Sequence, residues 1–419
     1  MNAAVVSLIA LLVAIVLSIT TQINVGLLAI AFAWLIGVFV AGLRPDEVIA
    51  GFPSSLFLTL AGVTLLFALA ESNGTLATLA HRAVRSTGGN RLLLPLVFFL
   101  MAFALSSAGP GAIPIVALMV PMAMVIGQRA GLSPFLVALM VGYGANAGNL
   151  SPMSAVGVVV NTKMREAGLA GHEMRVWLWH LTAHLLIALL TYAFLVKYAR
   201  RHETTAGAGA PDLPEAPPIT RQQGLTIAVI AVWIVCVVFL KIHVGLAAFA
   251  AATLLIVLRA ADERAALKLV PLGIILMVCG VTVLIALLEK TGGMDLFTTL
   301  LAKLASPVSL NGVIAFVTGL ISTYSSTSGV VLPTFLPTVN DLVAKVGGGD
   351  PLAVALSINV GSSLVDIAPL STLGALCVAA VSDHTESRRL FKQLMMWGLA
   401  MALVGALLCQ LLAPLVARL

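Results

Sequence analysis

The chain has 419 residues, 60% of them hydrophobic and only 10% charged, with a net charge of +6 and a mean hydropathy of +1.09. Too little polar surface remains to coat a soluble core, so the sequence is that of an integral membrane protein. Its basic residues sit in short loops between apolar runs, which assigns the positive charge to membrane topology and argues against a nucleic-acid partner.

Taken in chain order, ten apolar runs are long enough to cross about 30 Å of hydrocarbon as helices. They are Ala3–Thr20, Ile23–Leu43, Ser54–Ala70, Ser133–Asn161, Val176–Lys197, Gly224–Leu240, Val244–Leu258, Val270–Leu288, Leu352–Val381 and Leu394–Val416. The first run lacks a basic leader and a small-residue cleavage site and is expected to be retained as a span. Two further stretches, 92–126 and 308–343, are too long for one span and carry polar, Gly and Pro residues midway. Each is expected to form a re-entrant helical hairpin, preceded by a short amphipathic helix, Thr75–Val84 or Met294–Ala305. The four cysteines, Cys236, Cys279, Cys377 and Cys409, lie inside apolar runs without paired spacing and read as packing residues.

The chain also repeats itself. GVTLLFALAESNG from Gly62 returns as GVTVLIALLEKTG from Gly280, INVGLLA from Ile23 as IHVGLAA from Ile242, and GANAGNLSPMSAVG from Gly144 as GSSLVDIAPLSTLG from Gly361, at an offset of about 218. The first repeat takes 1–199 (hairpin 92–126, broken helix 133–161). Residues 200–223 form a polar linker rich in Ala, Gly and Pro, and the second repeat takes 224–419 (hairpin 308–343, broken helix 352–381). Five crossings and one non-crossing hairpin per repeat invert the second copy. The expected fold is therefore all-α, with two inverted-topology repeats and broken helices at the midplane. The face entered by the first hairpin collects most Lys and Arg and is expected to be cytoplasmic, with both termini periplasmic.

Four places interrupt apolar helices: the hairpin tips LSSAGPGAIP (105–114) and STYSSTSGVVLP (322–333), and the spans GYGANAGNLSPMS (142–154) and NVGSSLVDIAPLS (359–371). Backbone groups freed by such breaks are tolerated only inside protein or against water, so the breaks are expected to converge. Half-helix N-termini suit an oxyanion, and unwound carbonyls with Ser, Thr and Asn oxygens suit a small hard cation or a proton. No Lys or Arg lies within the four breaks. Asp366 is the one acidic residue deep in a span, a costly position unless it has a partner, a proton or a task. Its counterpart is Asn149. Glu71 and Glu289 also match across the repeat but sit at span ends, where capping or a hinge contact is expected. His180 and His184 stand one turn apart beside Trp177 and Trp179; without a third ligand they are expected to pack and hydrogen-bond at the interface. No phosphate loop, nucleophile and base arrangement or metal-spaced cysteines argue for an enzyme or an ATP-driven pump.

This pattern of tips and breaks resembles the divalent anion/sodium symporter family of the ion transporter superfamily, and its malonate/dicarboxylate carrier branch in particular. In that family a Ser-Asn-Thr signature at each tip and a Pro-containing break cradle sodium and a substrate carboxylate. The resemblance implies substrate contacts from Ser106, Ser107, Gly109, Ser325, Ser326, Thr327, Pro152 and Pro369. It implies cation contacts from Ser107, Asn146, Asn149, Ser326, Ser362, Ser363 and Asp366, with Ser151 at the first break. Neither tip keeps the Asn, and Asp366 stands ready as a sodium ligand or proton carrier in compensation. The resemblance further implies a homodimeric elevator in a bacterial inner membrane. It would carry malonate or C4 dicarboxylates, coupled to sodium or protons or working as an exchanger, with no other cofactor. A cation/proton antiporter using Asp366 is the alternative.

Overall fold

The structure is a computed structural model that describes residues 2–21, 23–85, 90, 92–202, 218–240, 242–324, 326–381 and 383–419. Most of the linker (203–217), Arg91 and Ser325 lie outside the described residues, as do the side chains of Lys197, Arg200 and Arg201. The described residues are helical throughout and contain no strand. In chain order the helices are α1 (Ala3–Thr21), α2 (Val25–Phe39), α3 (Pro45–Ile49), α4 (Ser54–Ser72), α5 (Thr75–Arg85), α6 (Leu94–Ala108), α7 (Ala112–Arg129), α8 (Pro134–Asn149), α9 (Ala155–Glu166) and α10 (Glu173–His202). After the linker come α11 (Arg221–Phe239), α12 (Val244–Val257), α13 (Glu263–Leu269), α14 (Leu272–Thr291), α15 (Gly293–Ala302) and α16 (Leu310–Tyr324). A π-helical turn (Thr327–Val331) leads into α17 (Leu332–Phe335), a 3-10 turn (Leu336–Thr338), α18 (Val339–Val346), α19 (Pro351–Leu364), α20 (Thr372–Ala379) and α21 (His384–Arg418).

Among the described residues, five helices are long and apolar enough to cross a membrane alone: α4, α7, α10 over Glu173–Leu195, α14 and α21. The protein is a multi-pass membrane protein. The expected spans 133–161 and 352–381 are each two helices, α8 with α9 and α19 with α20. The runs from Ile23 and Val244 yield helices of 15 and 14 residues, shorter than expected because their last residues enter turns.

Local chemistry sets the ends of the broken spans, and it does so twice. Ser133 Oγ accepts from Leu136 N at 3.3 Å and Pro134 opens α8; Asp350 Oδ1 accepts from Leu352 N at 2.8 Å and Pro351 opens α19. Both are N-caps followed by a proline at the first helical position, whose N–H would have no partner within the helix. Beyond the breaks, Ser154 and Ser371 cap α9 and α20, accepting from Gly157 N and Gly374 N while donating back across the break to Asn149 O and Asp366 O. Buried residues run all round α8 and α19, as expected of helices enclosed by protein on every side.

Packing repeats the same offset. α2 lies against α14, and α12 against α4. At these crossings a Cβ on Gly280 would overlap the Gly26 carbonyl, and a Cβ on Gly62 would overlap the Gly245 carbonyl. Likewise α6 packs on α8 and α16 on α19, with Gly144 against the Phe99 backbone and Gly361 against the Ala315 backbone. Without a hydrophobic force between helices in lipid, such close approach supplies the van der Waals contact that holds them together.

Candidate functional site

The two hairpins end differently. α6 and α7 are joined by Gly109, Pro110 and Gly111, whose φ of 80° at Gly111 is the left-handed region that favours glycine. The second tip enters the π-helical turn, where Ser326 Oγ accepts from Gly329 N at 3.1 Å. π-turns of this kind gather at functional sites.

Each tip is tied to the break of the next span. Asn149 Oδ1 accepts from Ala112 N at 2.9 Å, and Gly109 O accepts from Ala155 N at 2.8 Å. In the second half the Thr327 hydroxyl donates to Ser362 O at 3.3 Å and also pairs with Ser322. Asn149, the last residue of α8, and Asp366, just past the end of α19, stand at matching places, and each break is closed by a serine, Ser154 or Ser371, that donates to its backbone carbonyl. Asp366 is 7% exposed.

A cleft joins the two halves of this arrangement. It is narrow, with a cavity volume of about 30 Å³, and is lined by Pro110, Ala112 and Ile113 of the first tip, Val156 and Val159 of α9, Thr64 of α4, Ile275 and Val278 of α14, and Ser328 of the second tip. The N-termini of α7 and α9 both open on it, so two positive helix ends and the Ser328 hydroxyl face a mostly apolar slot, while the Thr64 hydroxyl donates to Leu60 O at 2.7 Å. The lining is of a kind that suits a short hydrocarbon chain carrying an oxyanion, but the slot is closed to about the room of one water and must widen to admit it.

Of the residues drawn from the sequence, Gly109, Asn149, Ser151 and Pro152 cluster at the first tip and break, and Ser326, Thr327, Ser362, Asp366 and Pro369 at the second. Ser106 and Ser107 lie in the last turn of α6, and their buried hydroxyls have no partner among the described residues. Asn146 and Ser363 instead meet each other: Asn146 Nδ2 donates to Ser363 O at 3.3 Å where α8 crosses α19. His180 joins them, its Nε2 donating to Asn146 O at 2.8 Å, and His184 Nδ1 donates to His180 O at 2.8 Å. Acceptor-only carbonyl partners fix both tautomers. Tyr143 closes this knot, accepting from Trp397 Nε1 at 2.6 Å and donating to Leu364 O at 3.4 Å.

Sequence reading passed over Thr64, Ser328 and Lys163. Lys163 is 3% exposed in the last turn of α9, one turn beyond Val159, with Nζ 2.8 Å from Glu166 Oε2. Its i+4 spacing from Val159 was the available signal. What hid it was position, since it lies past the break rather than inside it.

Capped half-helices, paired tips and a narrow cleft between them thus sit inside an apolar helical bundle. Residues 1–149 match the model of a family described as dicarboxylate carrier protein MatC N-terminus. The structure is similar to that of the YdaH transporter of Alcanivorax borkumensis, with a TM-score of 0.57 over 87% of this chain and 86% of that one, at 15% identity. At that identity the likeness shows the fold alone. No curated protein matches the sequence.

Proposed function

We propose that the protein is a secondary active transporter of small dicarboxylates of the malonate and C4 class. The observation that carries this reading is the cleft itself, where the first tip, the N-termini of α7 and α9 and Ser328 of the second tip line one narrow, largely apolar slot. The match of residues 1–149 to a dicarboxylate carrier model supports the substrate class. As the slot widens, one carboxylate is received by the positive ends of α7 and α9 and the Ser328 hydroxyl, and the methylene chain lies against the Ile and Val side chains of α9 and α14.

With no basic residue in the breaks, a co-bound cation balances the dianion. The unpartnered hydroxyls of Ser106 and Ser107 are oxygens of the type that hold sodium, and Asp366 supplies a carboxylate at the other break. Transport proceeds by alternating access of two inverted repeats. The hairpins and broken spans move as one body against α1, α2, α4, α11, α12 and α14, in a homodimer of the bacterial inner membrane with both termini periplasmic. Uptake into liposomes tests the proposal: accumulation of labelled malonate or succinate under a sodium or proton gradient is expected, and failure to take up or exchange any C3 or C4 dicarboxylate overturns it.

The buried carboxyl of Asp366 favours a second reading, a cation/proton antiporter. In that case cation exchange proceeds with no dicarboxylate present, and none competes.

A further inference from the structure

The helix α21 is 35 residues long, or about 52 Å at 1.5 Å per residue, against about 30 Å of hydrocarbon. Its first turns therefore stand in the headgroup layer. There His384, Thr385, Arg388, Arg389 and Lys392 line an open pocket of about 370 Å³. Among the described residues, Arg388, Arg389 and Lys392 have no ion-pair partner. Of the nearby acids, Asp383 caps the helix through Thr385 N and Glu386 N, and Glu386, one turn before Arg389, makes no ion pair with it among the described residues, which leaves three cations facing at most one carboxylate.

Helical phase also decides what lies below the pocket. Thr385, Arg388, Arg389 and Lys392 fall on the same face as Met396, Leu399, Leu403 and Leu407, at steps of three and four residues. These four are 73%, 41%, 59% and 64% exposed, while the opposite face (Leu390, Leu394, Gly398, Met401) is buried against the bundle. A cationic pocket at headgroup depth thus runs directly into an apolar track as long as an acyl chain. We infer that this face of α21 is a binding site for an anionic phospholipid, whose phosphate is held by Arg388, Arg389 and Lys392 and whose chain lies along Met396 to Leu407. The head supplies charge complementarity and the track distinguishes a lipid from a free anion. The site is independent of what the protein carries.

The experiment compares phosphatidylglycerol with phosphatidylcholine of equal chain length on the full-length protein, by native mass spectrometry and by thermal stability in detergent. The wild type is expected to retain phosphatidylglycerol in excess and to be stabilised by it. In R388Q/R389Q/K392Q the ratio of the two lipids falls to about 1, with stability in phosphatidylcholine unchanged, whereas R388K/R389K keeps the preference. Equal retention of both lipids by the wild type, or an undiminished preference in the triple variant, overturns the inference. So does equal stabilisation by inorganic phosphate or glycerophosphate, which marks a free-anion site, and so does protection of the face by a second copy of the chain in place of lipid.

Discussion

Asn149 Oδ1 receives the Ala112 backbone N–H at 2.9 Å, so the break in one span holds the second arm of the preceding hairpin in place. The contact is buried, and Asn149→Ala leaves that N–H with no protein acceptor. The loss is expected to cost about 1–3 kcal/mol, read as a lower thermal midpoint, together with weaker dicarboxylate binding. Asn149→Asp keeps an acceptor oxygen but buries a carboxyl group, so it is expected to recover stability only at a pH low enough to keep that group protonated.

Asp366 occupies the matching place but carries a carboxyl group. Asp366→Asn removes a group whose charged form costs about 2.5–3.5 kcal/mol at mid-bilayer and keeps the shape of the side chain. The variant is therefore expected to fold at least as stably as the wild type. It should exchange labelled for unlabelled dicarboxylate across a liposome membrane while losing accumulation driven by an ion gradient. Full gradient-driven accumulation by the variant would show that Asp366 takes no part in coupling.

The glycine crossings give a test of packing in both halves. Gly280→Val drives a side chain into the Gly26 carbonyl and Gly62→Val into the Gly245 carbonyl, backbone contacts that cannot yield as a flexible side chain does. Each is expected to cost at least the 1–3 kcal/mol typical of overpacking, or about that much and more, and to lower the yield of monodisperse protein. Gly224, inside α11 with open space at its Cβ, is the contrast: Gly224→Ala should be neutral or gain about 0.5–1 kcal/mol.

Much of this architecture is legible in the sequence, because apolar runs and their Gly, Ser and Pro interruptions directly mark helices and breaks. The bounds of α6 with α7 and of α8 with α9 follow from that pattern, and so do the short helices α5 and α15. Asn146 and Ser363 are harder to read. Proximity to a break groups them with Asn149 and Asp366, but their bond to each other comes from the crossing of α8 with α19, a contact between residues some 217 positions apart. The π-turn after Ser326 and the burial of Lys163 are also products of tertiary packing, as is the pairing of His180 with Asn146 O.

The knot around Tyr143 links the two halves and can be tested by one atom. Tyr143→Phe strips the acceptor from Trp397 Nε1 and the donor from Leu364 O, both in the second half of the chain. A loss of about 1–3 kcal/mol in unfolding stability is expected from the stranded indole N–H. Trp397→Phe in the same background should restore part of that loss, since it removes the stranded donor, and a double-mutant cycle measures the coupling.

The central claim is that both tips and α9 face one substrate cleft. Single cysteines at Ser328 and Val156, in a background where Cys236 is Ala, can be labelled with a small thiol reagent in the presence of candidate substrates. Both positions are expected to be protected by a C3 or C4 dicarboxylate and not by the matching monocarboxylate. Labelling at both positions that is indifferent to every dicarboxylate would contradict the account.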